Sequence, residues 1–216
     1  MYKVIACGIF KPYIEHLTID LSHFDIVYLE IQQHDHPQRL AKNIQKEINQ
    51  TDKHYKKIII LYGLCGGALL KLYTLHIPLI LVKVHDCMSI LLGSKEKYNM
   101  LTKDNKSLSW NCYSLKVSHH QQTLQQWELL YDEETVAYLK EMLFTEQSLY
   151  LTCHLEEEKD FEKEEDDIVE GHLDFLKNIL LCQSQHLLEL KAHQRISLSL
   201  DDEVIKITND NEEVNI

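Results

Sequence analysis

Two short aliphatic runs, residues 58–62 (IIILY) and 78–84 (PLILVKV), constrain this chain more than any other feature. Both are rich in Ile, Leu and Val, and neither shows the sustained polar alternation of a half-exposed strand. Such runs read as strands buried on both faces, the habit of a parallel sheet. Each ends in a polar, sulfur-bearing turn: Gly63-Leu64-Cys65-Gly66-Gly67 after the first, His85-Asp86-Cys87 after the second.

Open α/β sheets bind ligands where strands give way to helices, at the carboxyl ends. The two turns therefore deliver two thiols and an imidazole to one edge. The same pattern begins the chain, where residues 3–6 (KVIA) read as a strand ending in Cys7-Gly8. A lone cysteine is most often a small buried hydrophobe. Recurrence of strand-then-cysteine at Cys7, Cys65 and Cys87 raises a site above that reading. The fold class expected is α/β: a mostly parallel open sheet with helices on both faces, a Rossmann-like three-layer sandwich.

A helix is expected after Cys7, with Pro12 in its first turn and Ile14, Leu17 and Leu21 on one face. Residues 24–31 read as the second strand. A further helix opens at Pro37, burying Leu40, Ile44 and Ile48 while Gln38, Lys42 and Lys46 face water. Just ahead of it, His34 and His36 could ligate a metal, or Asp35 could cap the helix and leave both histidines solvated.

The glycine-rich turn matches neither the P-loop nor the dinucleotide pattern. Gly63, Gly66 and Gly67 would let the backbone take positive φ and approach a ligand closely. They would leave Cys65 at the start of a helix carrying Ala68, Leu69, Leu72 and Tyr73, where the macrodipole favours thiolate. Asp86 could cap a helix over 88–92 or orient His85.

Further on, 99–109 reads as a loop, 111–117 as a fifth strand and 133–144 as a helix with Val136, Leu139 and Leu143 on one face. Strand character returns over 148–153. His119 and His120 belong to a solvated segment. Residues 156–170 hold ten acids against Lys159 and Lys163 and read as a solvated helix face, with Phe161 and Ile168 in a buried stripe. Residues 185–190 and 197–200 are late strands, the latter pairing with 204–207. One α/β domain over 1–208 and a disordered tail over 209–216 is the simplest organisation.

A net charge of −12, with Arg39 and Arg195 the only arginines, argues against nucleic acid as a partner. A membrane partner is not expected either, since no apolar run approaches 18 residues. Lys3 and Tyr13 interrupt the only apolar N-terminal stretch, so no secretory signal is read. Six scattered cysteines without a C-x-x-C pair point to reduced thiols and a cytoplasmic location.

Taken together, Cys7-Gly8, His34 with Pro37, Tyr62-Gly63-Leu64-Cys65-Gly66, His85-Asp86-Cys87, Leu92-Gly93-Ser94 and Tyr98 resemble the domain of unknown function 1638 family (DUF1638). These phrases fall within residues 3–98. The resemblance implies an α/β protein of anaerobic bacteria and archaea, associated with corrinoid-dependent methyltransferases. It maps the family pattern onto Cys7, His34, Cys65, His85 and Cys87, favouring His34 over His36. It also implies a Gly-Trp pair after the fifth strand, where this chain departs with Asn111-Cys112-Tyr113-Ser114-Leu115.

Three functions fit these residues. In the first, Cys7, Cys65 and Cys87 hold zinc or an iron–sulfur cluster, with His85 or His34 completing the site and a link to corrinoid or methyl-transfer metabolism. Soft thiolates select such metals; three of them plus an imidazole close a tetrahedral zinc site, and three alone leave a cluster with an open corner. In the second, a thiolate-dependent transferase uses Cys65 as nucleophile, His85 as base and Asp86 as its orienter. In the third, a non-catalytic accessory protein binds a small molecule or cofactor and serves a methyltransferase or corrinoid protein. The metal reading requires sulfurs 58 and 22 residues apart in sequence to meet at one rim.

Overall fold

The aliphatic runs become neighbouring strands. In the computed structural model, β1 (Tyr2–Cys7), β2 (Phe24–Leu29), β3 (Ile58–Leu61) and β4 (Leu79–Val82) lie parallel in the order β2-β1-β3-β4, and β8 (Leu187–Leu190) adds to the far edge, antiparallel to β4. The structure describes residues 1–103, 108–112, 114–115, 127–143, 151–155, 167–169, 171–199 and 203–209. They fall into two compact units, Met1–Asn99 with His172–Ile216, and Met100–Gly171.

Every residue of β3 and β4 is buried, and the register sets Ile5 beside Ile60 and Ile60 beside Leu81. That continuous apolar row is why the sheet needs cover on both faces. The strand order reverses between β1 and β3: the chain leaves β1 for β2 on one side, then crosses back to β3 on the other. Right-handed crossovers put the β1–β2 connection on one face and the β2–β3 and β3–β4 connections on the opposite face. Accordingly α2 (Pro37–Gln50) packs against the β3–β4 connection. Pro37 opens α2, Leu40, Ile44 and Ile48 are buried, and Gln38, Lys42 and Lys46 face water, as the spacing predicts. Each of the three buried side chains contributes about 2 kcal/mol of transfer free energy.

Other expectations shift. The connection after β1 is a 3₁₀ turn, Gly8–Phe10, then a short α1 (Lys11–Glu15), so Leu17 and Leu21 lie beyond the helix. There the Asp20 carboxylate accepts the Ser22 N–H at 2.9 Å, a local turn that competes with helix. α3 (Cys87–Leu91) is followed by α4 (Lys95–Thr102), which reaches into the stretch expected as loop, and the next strand, β5 (Leu108–Cys112), starts earlier than residue 111.

In the second unit β5, β6 (Leu151–Leu155) and β7 (Asp167–Val169) form an antiparallel sheet, and α5 (Glu133–Leu143) buries Val136. Residues 167–169, expected in an acidic helix, are strand, while 156–166, with Phe161, lie outside the described residues, as do His119 and His120. The first unit also contains α6 (Asp174–Leu180) and the antiparallel pair β9 (Gln194–Leu198) and β10 (Ile205–Asn209). That pairing matches the expectation for the late strands; of the expected tail, 210–216 lie outside the described residues. Among the described residues no helix is long and apolar enough to cross a membrane.

Candidate functional site

β1, β3 and β4 are adjacent and parallel, so whatever follows each strand emerges at one edge. Cys7 ends β1, and the Cys65 and Cys87 turns follow β3 and β4. After the strands stop, the turns continue the ladder: Leu64 N–H donates to the Val84 carbonyl at 3.0 Å and Cys65 N–H to the His85 carbonyl at 3.3 Å. Gly63 permits this approach, since a Cβ on it would sit 2.4 Å from Asp86 Cα and 2.5 Å from Asp86 C. Only a residue without a side chain fits between two backbones that close.

The result is a buried sulfur pair. Cys65 Sγ and Cys87 Sγ lie 3.8 Å apart. Cys7 is fully buried and ends β1, the strand beside β3, at the same edge of the sheet. Tyr62, itself buried, feels all three, and its hydroxyl pKa is driven up by burial and by these neighbours.

The local backbone differs from expectation. Cys65, Gly66 and Gly67 take φ of 44°, 64° and 84°, three successive left-handed residues. They break the expected α-helix into a kinked 3₁₀ segment, Cys65–Lys71, in which Ala68 and Leu69 are buried; beyond it Tyr73 is 45% exposed rather than packed. No α-helix macrodipole therefore acts on Cys65. Its thiol pKa is pushed well above the ordinary value, first by the hydrogen bond shared with Cys87, then by burial and by the charges of Cys87, Cys7 and Asp86. The residue that does open a helix is Cys87, first in α3.

Asp86 takes the first of its two expected roles. Its Oδ1 accepts the Met88 N–H at 2.7 Å and the Ser89 N–H at 3.3 Å, capping α3, while Oδ2 accepts the Tyr98 hydroxyl. Both carboxylate oxygens are thus engaged away from His85. Burial raises the Asp86 pKa, and the Tyr98 hydrogen bond opposes that rise. His85 is exposed, and its carbonyl serves the turn. Tyr98 is a site residue whose role no periodicity in the sequence reveals; the signal is a buried carboxylate with an oxygen left over after capping.

His36, not Asp35, occupies the N-cap position of α2, with no side-chain cap bond. The His34 side chain lies outside the described residues. Gly66 faces Pro37, whose Cγ would be 2.6 Å from an added Cβ, so the start of α2 meets the Cys65 turn. Beside this contact runs a groove of about 640 Å³ with Gly66 and Gly67 on one side and the first turns of α2 on the other. A second cavity, about 300 Å³, borders Ile58 at the amino end of β3, opposite the sulfurs. Among the described residues no three of His, Cys, Asp and Glu stand as a ready-made metal-binding group. The assembled part of the site is the sulfur pair.

A parallel sheet whose order reverses between β1 and β3, with cysteines along its carboxyl edge after β1, β3 and β4, defines a doubly wound α/β protein whose sulfur pair lies one strand from the topological switch point. The chain belongs to the family described as Protein of unknown function (DUF1638), whose profile matches residues 28–172. The match begins after Cys7 and runs past residue 98 to residue 172, so it includes the segment that departs from the expected Gly-Trp pair. No curated protein and no solved structure matches the chain.

Proposed function

We propose that Cys65 and Cys87, joined by Cys7, hold a soft metal, zinc or the iron of an iron–sulfur cluster, at the carboxyl rim of the sheet. One observation carries this reading: the 3.8 Å separation of two buried sulfurs. Two thiolates on one tetrahedral zinc, each with a zinc–sulfur bond of ~2.3 Å, stand about 3.8 Å apart. The electrostatics support it too. The Cys65 thiol is held protonated by its neighbours, and a bound cation would reverse that balance and ionise it. Cys7 is the third sulfur; His34, by the family resemblance, or His85, on the Cys87 turn, would supply nitrogen.

The thiolate-transferase reading has less physical support. Cys65 lacks the helix start that would favour its thiolate, and the Asp86 oxygens serve α3 and Tyr98. Metal analysis of protein purified without air tests the proposal. About one zinc per chain, or iron with a visible cluster band, is expected, with loss in both Cys65→Ser and Cys87→Ser. Wild-type protein without metal, or metal retained in Cys65→Ser, rejects it. A role beside a corrinoid protein or methyltransferase would show as co-purification of that partner, and its absence from anaerobic pull-downs would count against the link.

A further inference from the structure

In a chain of net charge −12, the groove beside the Cys65 turn is cationic. Arg39 and Lys42 project from the first turns of α2, Lys71 comes from the end of the 3₁₀ segment, and all three line the groove with exposed side chains. No acidic residue is among those lining it. None of the three forms an ion pair with a described acid, although Lys3, Lys57 and Lys83 all do. Three uncompensated cations drawn together on an anionic protein repel one another, a cost that a bound anion removes. The floor is polar backbone: Gly66 and Gly67 have no side chain to shield their peptide groups, the Gly67 N–H itself donating to the Leu64 carbonyl at 3.0 Å.

We propose that this groove binds a phosphorylated small molecule, its phosphate held by Arg39, Lys42 and Lys71. A volume of about 640 Å³ suits a ligand of metabolite to nucleotide size. Arginine offers the planar fork that phosphate oxygens accept in pairs, and the lysines add point charge. Gly66 is bonded to Cys65, so a ligand anchored here by its phosphate sits against the Cys65 turn. The proposal stands whether or not the thiols carry metal, and it gives the site a substrate class. Three cations are too few for a nucleic-acid backbone on so acidic a chain.

Isothermal titration of the full chain with fructose 1,6-bisphosphate and with inorganic phosphate, at low salt, tests it. Binding of the bisphosphate below about 1 mM is expected. Arg39→Ala and Lys71→Ala should each weaken it about tenfold, consistent with loss of a charge-assisted contact. Lys206→Ala, on exposed β10, should leave it unchanged, and circular dichroism should show all three variants folded. Cys87→Ser should keep the bisphosphate affinity while losing any metal, which separates this inference from the metal reading. No binding of either phosphate compound, wild-type affinity in the Arg39→Ala/Lys71→Ala double variant, or equal affinity for succinate would each overturn it. So would tighter binding of a single-stranded oligonucleotide than of the bisphosphate.

Discussion

The turns after β3 and β4 bring their cysteines to within 3.8 Å of each other by opposite means. The β4 turn uses a side chain: Asp86 caps α3, fixes Cys87 as the first helical residue and is itself held by Tyr98. The β3 turn uses the backbone: Gly63 lets the loops touch, and Cys65 adopts φ 44° ahead of two left-handed glycines. A left-handed cysteine is costly, of order 1–3 kcal/mol. One thiol therefore sits in a relaxed, capped position and the other in a strained one. The strain falls on a thiol whose pKa is also pushed well above its ordinary value, first by the hydrogen bond it shares with Cys87 and then by burial.

The comparison breaks most readily at Gly63. Gly63→Ala places a methyl against the Asp86 backbone, which cannot rotate away, so a loss of about 3 kcal/mol in urea unfolding is expected. Stability within about 0.5 kcal/mol of wild type would mean that the two loops are not in contact. Next is Asp86. Asp86→Ala removes the cap and the carboxylate that accepts the Tyr98 hydroxyl, costing about 2 kcal/mol, whereas Asp86→Asn keeps an oxygen for the cap.

The same residue predicts a pH effect. Burial raises the Asp86 pKa in the fold above its ordinary 3.8, so the folded chain binds that proton more tightly than the unfolded chain does. Its contribution to stability is greatest below 3.8 and declines as pH rises through the folded value. Asp86→Asn should therefore gain stability relative to wild type as pH climbs through that window, seen in unfolding midpoints across pH. A constant difference would contradict the direction of the shift.

The smallest effect is a reversal of sign between the turns. Cys65→Gly should be more stable than Cys65→Ala by about 1 kcal/mol, because only the alanine retains left-handed strain. Cys87→Gly should be less stable than Cys87→Ala by up to about 1 kcal/mol, because position 87 is helical. The same sign at both positions would erase the distinction.

How far the sequence carries differs between these turns for the same physical reasons. Asp86 ahead of an apolar run is a local capping signal, and Pro37 an equally local helix start; both elements form where those residues put them. Unbroken aliphatic runs revealed the parallel strands because burial on both faces leaves no polar periodicity. The turn at Cys65 misleads because Gly66-Gly67 reads equally as a helix entrance or as a break. In the fold it is a break, and the space beside Gly66 is filled by Pro37, 2.6 Å from where a Cβ would stand. Long-range partners leave no pattern: Tyr98 reaching Asp86, β8 adding antiparallel to β4, and β7 forming within an acid-rich run all depend on what the chain meets after folding.

Cobalt(II) titration under anaerobic conditions tests the shared metal most directly, since a sulfur-to-cobalt charge-transfer band appears only when thiolate ligates the ion. The account predicts that band in wild-type protein, with uptake releasing the proton that the Cys87 hydrogen bond and burial hold on Cys65, and no band in either Cys65→Ser or Cys87→Ser. Cobalt bound without the band, or a band that survives loss of either cysteine, would contradict it.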